Sequence, residues 1–159
     1  MTRRSVVTCF VILVGLVVAA DAAGQKQKQG AKGAPAVEYS SASDTGTAPF
    51  SEYVRVGNTL YLAGRLGTDS TGKLAAGGIA AETKQALENI KVTLEKHGSS
   101  MDNVVKCTVM LADINERAQM NAVYTTFFKK DHMPARSAFG TTGLALGARV
   151  EIECIATLK

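Results

Sequence analysis

The sequence is poor in the residues that define several classes of protein. It has three Cys, three Pro and no Trp among 159 residues. Three Cys are too few for a disulfide-dense scaffold, and 15 Gly with three Pro are too few for a collagen-like or wholly disordered chain. The length leaves room for one globular domain and hardly for two.

Basic residues exceed acidic ones only near the N-terminus. The formal charge is +4, yet the segment 35–159 has 13 Lys and Arg against 13 Asp and Glu, so its formal charge is zero. Proteins that follow a nucleic-acid backbone carry clustered Lys and Arg on the fold itself. The charge distribution therefore argues against a nucleic-acid partner.

The first 22 residues have the pattern of a secretory signal. A positive end precedes an apolar run over residues 6–20, and residues 20–22 (ADA) have the small-x-small form of a signal-peptidase site. The run is short for a membrane span, which takes about 20 residues. We expect residues 1–22 to be removed and the protein to be periplasmic or secreted; an uncleaved membrane anchor is the alternative.

The rest of the chain predicts a linker followed by one α+β domain. Residues 23–47 are rich in Gly, Ala, Gln, Lys and Ser and predict a flexible linker, with Val37-Glu38-Tyr39 as a candidate edge strand. Residues 48–159 predict the order β-β-α-β-α-β-β. The predicted elements are a hairpin of Tyr53–Val56 and Thr59–Ala63, a helix Ile79–His97, a strand Asn103–Ala112, a helix Glu116–Lys130 capped by Asn115, and strands Ser137–Thr142 and Arg149–Leu158.

Two helices can cover only one face of the predicted sheet. Alternation places one apolar set on the covered face: Val105, Cys107, Val109, Leu111, Val150, Ile152, Cys154 and Ala156. The other, open face is mixed in polarity and includes Tyr61, Arg65 and Glu151. It is either a solvent-exposed face of the sheet or a surface on which copies of the chain pack, with charged clefts between them.

Several kinds of active site have no counterpart in the sequence. It contains no P-loop, zinc-ligand spacing, His-Glu-x-x-His motif or nucleophile elbow. His97 and His132 have no companion pattern, which favours surface histidines. Cys107 and Cys154 lie mid-strand, as buried thiols or, if their strands are adjacent, as a disulfide.

Arg136 and Glu151 carry the strongest chemical signal. Pro134 stiffens the backbone just before Arg136, whose planar guanidinium matches a carboxylate. Glu151 interrupts an apolar run, and on a cleft wall it would be suited to moving a proton or orienting water. Taken alone, each residue is more often one partner of an ordinary ion pair, which for Glu151 would be with a cation such as Arg149.

Seven blocks, in order, closely resemble the reactive intermediate deaminase family (RidA, or YjgF-type proteins). They cover about residues 48–156, and their order and spacing are more specific than any single block. The blocks are Pro49–Glu52 (PFSE), Gly57–Gly64 (GNTLYLAG), Gln85–Ile90 (QALENI), Val104–Val109 (VVKCTV), Asn121–Tyr124 (NAVY), Pro134–Ser137 (PARS) and Val150–Glu153 (VEIE).

The resemblance implies a fold, an assembly and a reaction. The fold would be chorismate-mutase-like, a mixed sheet with two helices on one face, in a homotrimeric barrel with clefts between subunits. The reaction would be hydrolysis of 2-enamino and 2-imino acids, such as 2-aminoacrylate, to 2-keto acids and ammonia, with neither metal nor organic cofactor. Arg136 would bind the substrate carboxylate, and Glu151 would position water or move a proton. The other matching cleft positions are Phe50, Ala63, Gly64, Arg65 and Asn121.

Two positions depart from the family's pattern. Ala63-Gly64-Arg65 stands where many active members have Ser-Gly-Gln, and Phe50 stands where Tyr is common. Arg65 is therefore expected to bind a second anionic group or to pair with Glu151. Two other functions stay open: a non-catalytic trimeric binder of small carboxylates in the periplasm, and an RNA-acting protein like some eukaryotic relatives, against which the zero charge of residues 35–159 argues.

Overall fold

The computed structural model describes residues 33–41 and 48–159. The predicted signal lies outside these residues, as do residues 23–32 and 42–47 of the predicted linker. In the described part of the chain, no helix combines the length and apolar character needed to cross a bilayer.

Within the described residues, seven strands form one mixed sheet. Its order is β1-β2-β3-β7-β5-β6, and β4 pairs with β7 beside β3. β5 and β6 are parallel and the other pairs are antiparallel. The sheet confirms the α+β prediction and the candidate edge strand. The strands are β1 (Val37–Tyr39), β2 (Tyr53–Val56), β3 (Thr59–Leu62), β4 (Arg65–Leu66), β5 (Val104–Leu111), β6 (Ala135–Gly140) and β7 (Val150–Thr157).

The helix α1 (Gly78–Lys96) packs on the sheet through an apolar stripe. Gly77 and Gly78 have φ values of 122° and 71°, so the turn into α1 uses a backbone conformation that favours glycine. The stripe residues are all buried, because their three- and four-residue spacing keeps them on one side of the helix. They are Ile79, Thr83, Leu87, Ile90 and Leu94.

The second helix, α2 (Arg117–Tyr124), is shorter than predicted. A 3₁₀ turn precedes it, and another follows it through Phe127. The predicted cap, Asn115, is wrong: the Asp113 carboxylate instead accepts a hydrogen bond from the N–H of Asn115 at 2.9 Å. The helical segment ends before Lys130 because Phe128 adopts extended backbone.

The covered face holds the core, with one correction to the predicted pattern. All the predicted β7 positions are buried, and so are the last three in β5. Val105 is 49% exposed, whereas Val104 is 5% exposed. The prediction for Val105 is wrong because the β5–β7 register shifts between Val104 and Lys106, and a bulge of this kind reverses the alternation.

A disulfide joins the two central strands beneath the helices. Cys107 of β5 lies directly opposite Cys154 of β7, with 4.2 Å between their Cα atoms, and their sulfur atoms are bonded. Both residues are fully buried. Of the two alternatives for these cysteines, the structure has the disulfide.

Candidate functional site

Glu151 lies on the open face of β7, directly against Gly64. A Cβ at position 64 would lie 2.9 Å from the Glu151 Cδ and closer still to its Oε1. Real Cβ atoms do not approach other heavy atoms so closely, so only glycine leaves room for the carboxylate in this position. We call Gly64 and Glu151 the glutamate half-site.

The helix α1 supports both strands of the glutamate half-site. Glu82 of α1 is 5% exposed, and its Oε2 accepts a hydrogen bond of 2.8 Å from the N–H of Arg149, the residue before β7. At the end of β4, a Cβ on Gly67 would lie 2.8 Å from the carbonyl carbon of Glu82. The backbone of α1 therefore packs against β4 while the Glu82 carboxylate holds the start of β7.

The side chain of Arg149 is bound separately from its backbone. Its guanidinium forms a salt bridge with Glu116, and its Nε donates to the two Glu116 carboxylate oxygens at 3.0 and 2.9 Å. Hydrogen bonding to Glu116, followed by its charge, raises the pKa of Arg149. This cation is therefore already paired, although it lies only two residues from Glu151.

Arg136 has no anionic partner among the described residues. It lies in β6, and its Cζ is 4.6 Å from the centroid of the Tyr124 ring. Its side chain forms no ion pair or hydrogen bond with the described residues. A cavity of about 230 Å³ opens beside it, lined by Tyr124, Thr125, Met133, Pro134 and Arg136. A guanidinium held in this way is free to bind a carboxylate.

Tyr124, which the sequence did not single out as a site residue, lies directly beside Arg136. It is 3% exposed, and its hydroxyl is buried with no hydrogen-bond partner among the described residues. Burial raises the pKa of Tyr124 to about 12, against an opposing effect of the Arg136 charge. The side-chain oxygen of Asn121, one turn earlier in α2, is also buried and has no hydrogen-bond partner in the part of the chain that the structure describes. Asn121 is not among the residues that line the cavity beside Arg136, so we call Tyr124 and Arg136 the arginine half-site.

The structure does not bring Arg136 and Glu151 together in one protomer. Glu151 lies opposite Met110 of β5, and Met110 lies opposite Phe139 of β6, three residues beyond Arg136. Arg136 itself pairs with Cys107, whose side chain faces the helices, whereas Glu151 is on the open face. The two half-sites therefore lie on opposite faces of the sheet.

Arg65 lies on the covered face, so its expected place on the open face is wrong. Its guanidinium is bound by Glu52 and donates to the Oγ1 of Thr93 in α1 at 3.0 Å. The expected pair with Glu151 is not formed. A role for Arg65 in substrate binding stays a prediction, and it would require this network to open.

The reason for the position of Arg65 is one extra residue before β4. Tyr61 lies opposite Ile155, and Arg65 lies opposite Ile152, so four steps along β3 and β4 match three steps along β7. Tyr61, which is 46% exposed, is on the open face as predicted. The odd residue reverses the alternation and turns Arg65 towards the helices.

The remaining predicted cleft residues lie at the approach to β2 and after β3. Phe50 is 60% exposed. Ala63 is half-buried, and its N–H donates to the carbonyl oxygen of Glu52 at 3.0 Å. Their contacts with a substrate stay predictions. Among the described residues, no group of three or more His, Cys, Asp or Glu is placed to hold a metal ion.

A mixed sheet covered by two helices, with an arginine at its edge that has no anionic partner among the described residues, defines an α+β domain with a candidate site for small anions. Residues 40–158 match the family described as Endoribonuclease L-PSP. The chain belongs to this family, which is that of the RidA and YjgF-type proteins.

Similar sequences include two mammalian proteins named 2-iminobutanoate/2-iminopropanoate deaminase. The mouse protein is 45% identical over 109 residues, which are 68% of this chain and 80% of the relative. The bovine protein is 48% identical, over 68% of this chain and 79% of the relative. Both matches cover most of the relative's length.

Similar crystal structures confirm the fold. Yeast Mmf1 is 30% identical with a TM-score of 0.70, and the match covers 78% of this chain and all of that one. RidA from an Antarctic Psychrobacter is 38% identical with a TM-score of 0.66, over 70% of this chain and 90% of that one.

Proposed function

We propose that this protein is an imine deaminase that hydrolyses 2-imino acids, and the 2-enamino acids that tautomerise to them, to 2-keto acids and ammonia. The observation that carries the proposal is the guanidinium of Arg136, which faces a cavity without any anion from the described residues. The mouse and bovine relatives, named as deaminases of 2-iminobutanoate and 2-iminopropanoate, support this substrate class.

The reaction requires little from the protein beyond positioning. An imine carbon is already electrophilic, so one water molecule adds to it and the resulting carbinolamine loses ammonia to leave the keto acid. Arg136 holds the substrate carboxylate, which turns a bimolecular encounter into an oriented one. Glu151 accepts a proton from the attacking water, and that proton returns to the departing nitrogen.

We propose that the active site forms between copies of the chain in a homotrimer. In a single protomer the two half-sites lie on opposite faces of the sheet, so a second copy has to supply the missing half. β6, which carries Arg136, is at one edge of the sheet order. Apolar side chains on the open face support packing of copies there, since Tyr61, Val105 and Phe139 are each 46–49% exposed. Sedimentation equilibrium measures the mass directly, and a monomer at assay concentration would contradict the shared site.

We further propose that the protein is exported and acts in the periplasm or outside the cell. The signal pattern of residues 1–22 supports export, and so does the Cys107–Cys154 disulfide, because disulfides persist in oxidising compartments. N-terminal sequencing of the protein recovered from a periplasmic fraction tests this, and an intact Met1 in the cytoplasmic fraction would contradict it.

The activity is tested with an imine substrate that is generated in situ. An amino-acid oxidase generates 2-iminopropanoate from alanine, and semicarbazide trapping reports how much imine remains. We expect the purified protein to accelerate imine loss. Arg136→Ala should raise KM at least about 10-fold, since a charge-assisted contact contributes roughly 1.5–3 kcal/mol. Arg117→Ala is the matched control, because Arg117 is an exposed arginine of α2 outside both half-sites.

A second pair of variants tests the glutamate half-site. Glu151→Gln should lower kcat about 100-fold, since general acid–base catalysis contributes roughly 10²–10⁴-fold. Glu95→Gln, an exposed position of α1, is the control. Wild-type protein that forms its assembly but leaves the imine at the uncatalysed rate would refute the proposal. Stabilisation by pyruvate without turnover would instead indicate a carboxylate-binding protein.

A further inference from the structure

We propose that Tyr124 is a positioning residue for Arg136, whose guanidinium it fixes through the face of its ring at the edge of the 230 Å³ cavity. This inference rests on the proposed function, because it assigns Tyr124 a part in binding the substrate carboxylate.

The orientation of Arg136 has one visible source in the described residues. Its Cζ lies 4.6 Å from the Tyr124 ring centroid, within the distance at which a guanidinium is attracted to an aromatic face. An arginine side chain has many rotamers, and fixing them at the moment of binding weakens affinity. Because the Tyr124 ring holds the guanidinium before the substrate binds, less side-chain entropy is lost on binding and the affinity is weakened less.

The ring of Tyr124 is itself held by the core. Tyr124 is 3% exposed, and its ring centroid is 4.8 Å from that of Phe128. Phe128 is 8% exposed, so the pair is packed between α2 and the sheet. The Tyr124 face that meets Arg136 therefore cannot move without disturbing the core.

The ring, rather than the hydroxyl, makes this contact. Burial raises the pKa of Tyr124 to about 12, so the phenol is neutral at physiological pH and does not form an ion pair with Arg136. The hydroxyl has no hydrogen-bond partner among the described residues. Removing it should therefore leave the hold on Arg136 in place.

Steady-state kinetics with 2-iminopropanoate separate a positioning role from a structural one. Tyr124→Leu removes the ring, and we expect KM to rise roughly 3- to 30-fold, the range that cation–π contacts give, while kcat changes less than about twofold. Tyr124→Phe keeps the ring and should restore KM to within about twofold of the wild-type value. Phe127→Leu is the matched control: it removes a partly buried ring that packs against the core and does not line the 230 Å³ cavity, and it should lower stability without raising KM.

A double-mutant cycle with Arg136→Ala tests the coupling directly. In the Arg136→Ala background, Tyr124→Leu should have no further effect on KM, because the group that it positions is already gone. Tyr124→Met, which refills more of the volume without a ring, repeats the cycle if Tyr124→Leu does not fold. Equal effects of Tyr124→Leu in both backgrounds, or an effect of Tyr124→Phe as large as that of Tyr124→Leu, would overturn the inference.

The cycle also distinguishes the two ways in which the inference and the proposed function can fail. If the wild-type protein has no turnover, the proposed function fails, and the same cycle is measured as the Kd of pyruvate by calorimetry. Coupling between Tyr124 and Arg136 in that Kd would still support the positioning role. If turnover is present and the coupling is absent, only the positioning role fails. A wild-type protein that neither turns over imine nor binds pyruvate would refute both.

Discussion

Reduction of the Cys107–Cys154 disulfide should lower the free energy of unfolding by about 4 kcal/mol. The bond closes a loop with a sequence separation of 47 residues. In the chain-entropy relation a loop of this length restricts the unfolded chain by about 14 cal/mol/K, which is about 4 kcal/mol at 25 °C. The free energy of unfolding of a single domain is roughly 5–15 kcal/mol, so the disulfide contributes a large part of the stability.

Equilibrium unfolding in urea, followed by far-UV circular dichroism, measures this loss. In protein that retains residues 1–22, a Cys9→Ser background removes the third cysteine as a competing thiol. With an m value of about 2 kcal/mol/M, we expect the unfolding midpoint to fall by about 2 M when a reductant is added. In the double variant Cys107→Ala/Cys154→Ala, the midpoint should not respond to the reductant.

One result would refute the reasoning. Mass spectrometry and thiol titration establish whether the bond is formed before denaturant and reductant are added. If the bond is formed, and its complete reduction leaves the midpoint unchanged, then the loop closure does not stabilise the fold as the chain-entropy relation requires. Free thiols at both cysteines in protein purified under oxidising conditions would refute the pairing itself.

Two further substitutions test the support of Glu151. Gly64→Ala places a Cβ where the Glu151 carboxylate lies, so kcat in the imine assay should fall by about 100-fold with little change in KM. Gly33→Ala, where a Cβ meets nothing within 4 Å, is the control. A Gly64→Ala enzyme that keeps its activity would show that the contact is not required. Glu82→Ala leaves the N–H of Arg149 without its buried acceptor and should lower the free energy of unfolding in urea by about 1–3 kcal/mol. Glu82→Gln keeps an acceptor oxygen and should recover most of that loss; equal losses in both variants would contradict this account.

The elements that the sequence predicts most closely are those with one uninterrupted periodicity. α1 was expected over Ile79–His97 and is found over Gly78–Lys96, because its apolar stripe repeats without a break and glycines stand at its start. The burial of β7 follows the expected alternation for the same reason. Residue-by-residue burial can be derived from such patterns because each pattern has a fixed geometric period.

The predictions fail where one residue breaks a period. At Val105 the register shift in β5 reverses the faces of one residue pair, and no local sequence signal marks it.

Arg136 shows a different limit of prediction from sequence. Its residue type and preceding proline indicate a carboxylate-binding site, but only the tertiary structure shows that Tyr124 lies beneath it. The partner of a side chain in another element depends on packing that a single sequence does not contain.

Arg65 departs from the common family pattern, and the extra residue at Ala63–Gly64 explains why it does not block the proposed site. An unbroken strand would keep Arg65 on the same face as Tyr61 and Glu151, where a cation could neutralise the proton-accepting carboxylate. The extra residue instead turns Arg65 towards Glu52 and α1, and it leaves the Gly64 backbone against Glu151. The glutamate half-site therefore depends on a local irregularity of the strand as much as on the presence of Glu151, and for this reason Gly64→Ala is the substitution that tests it most directly.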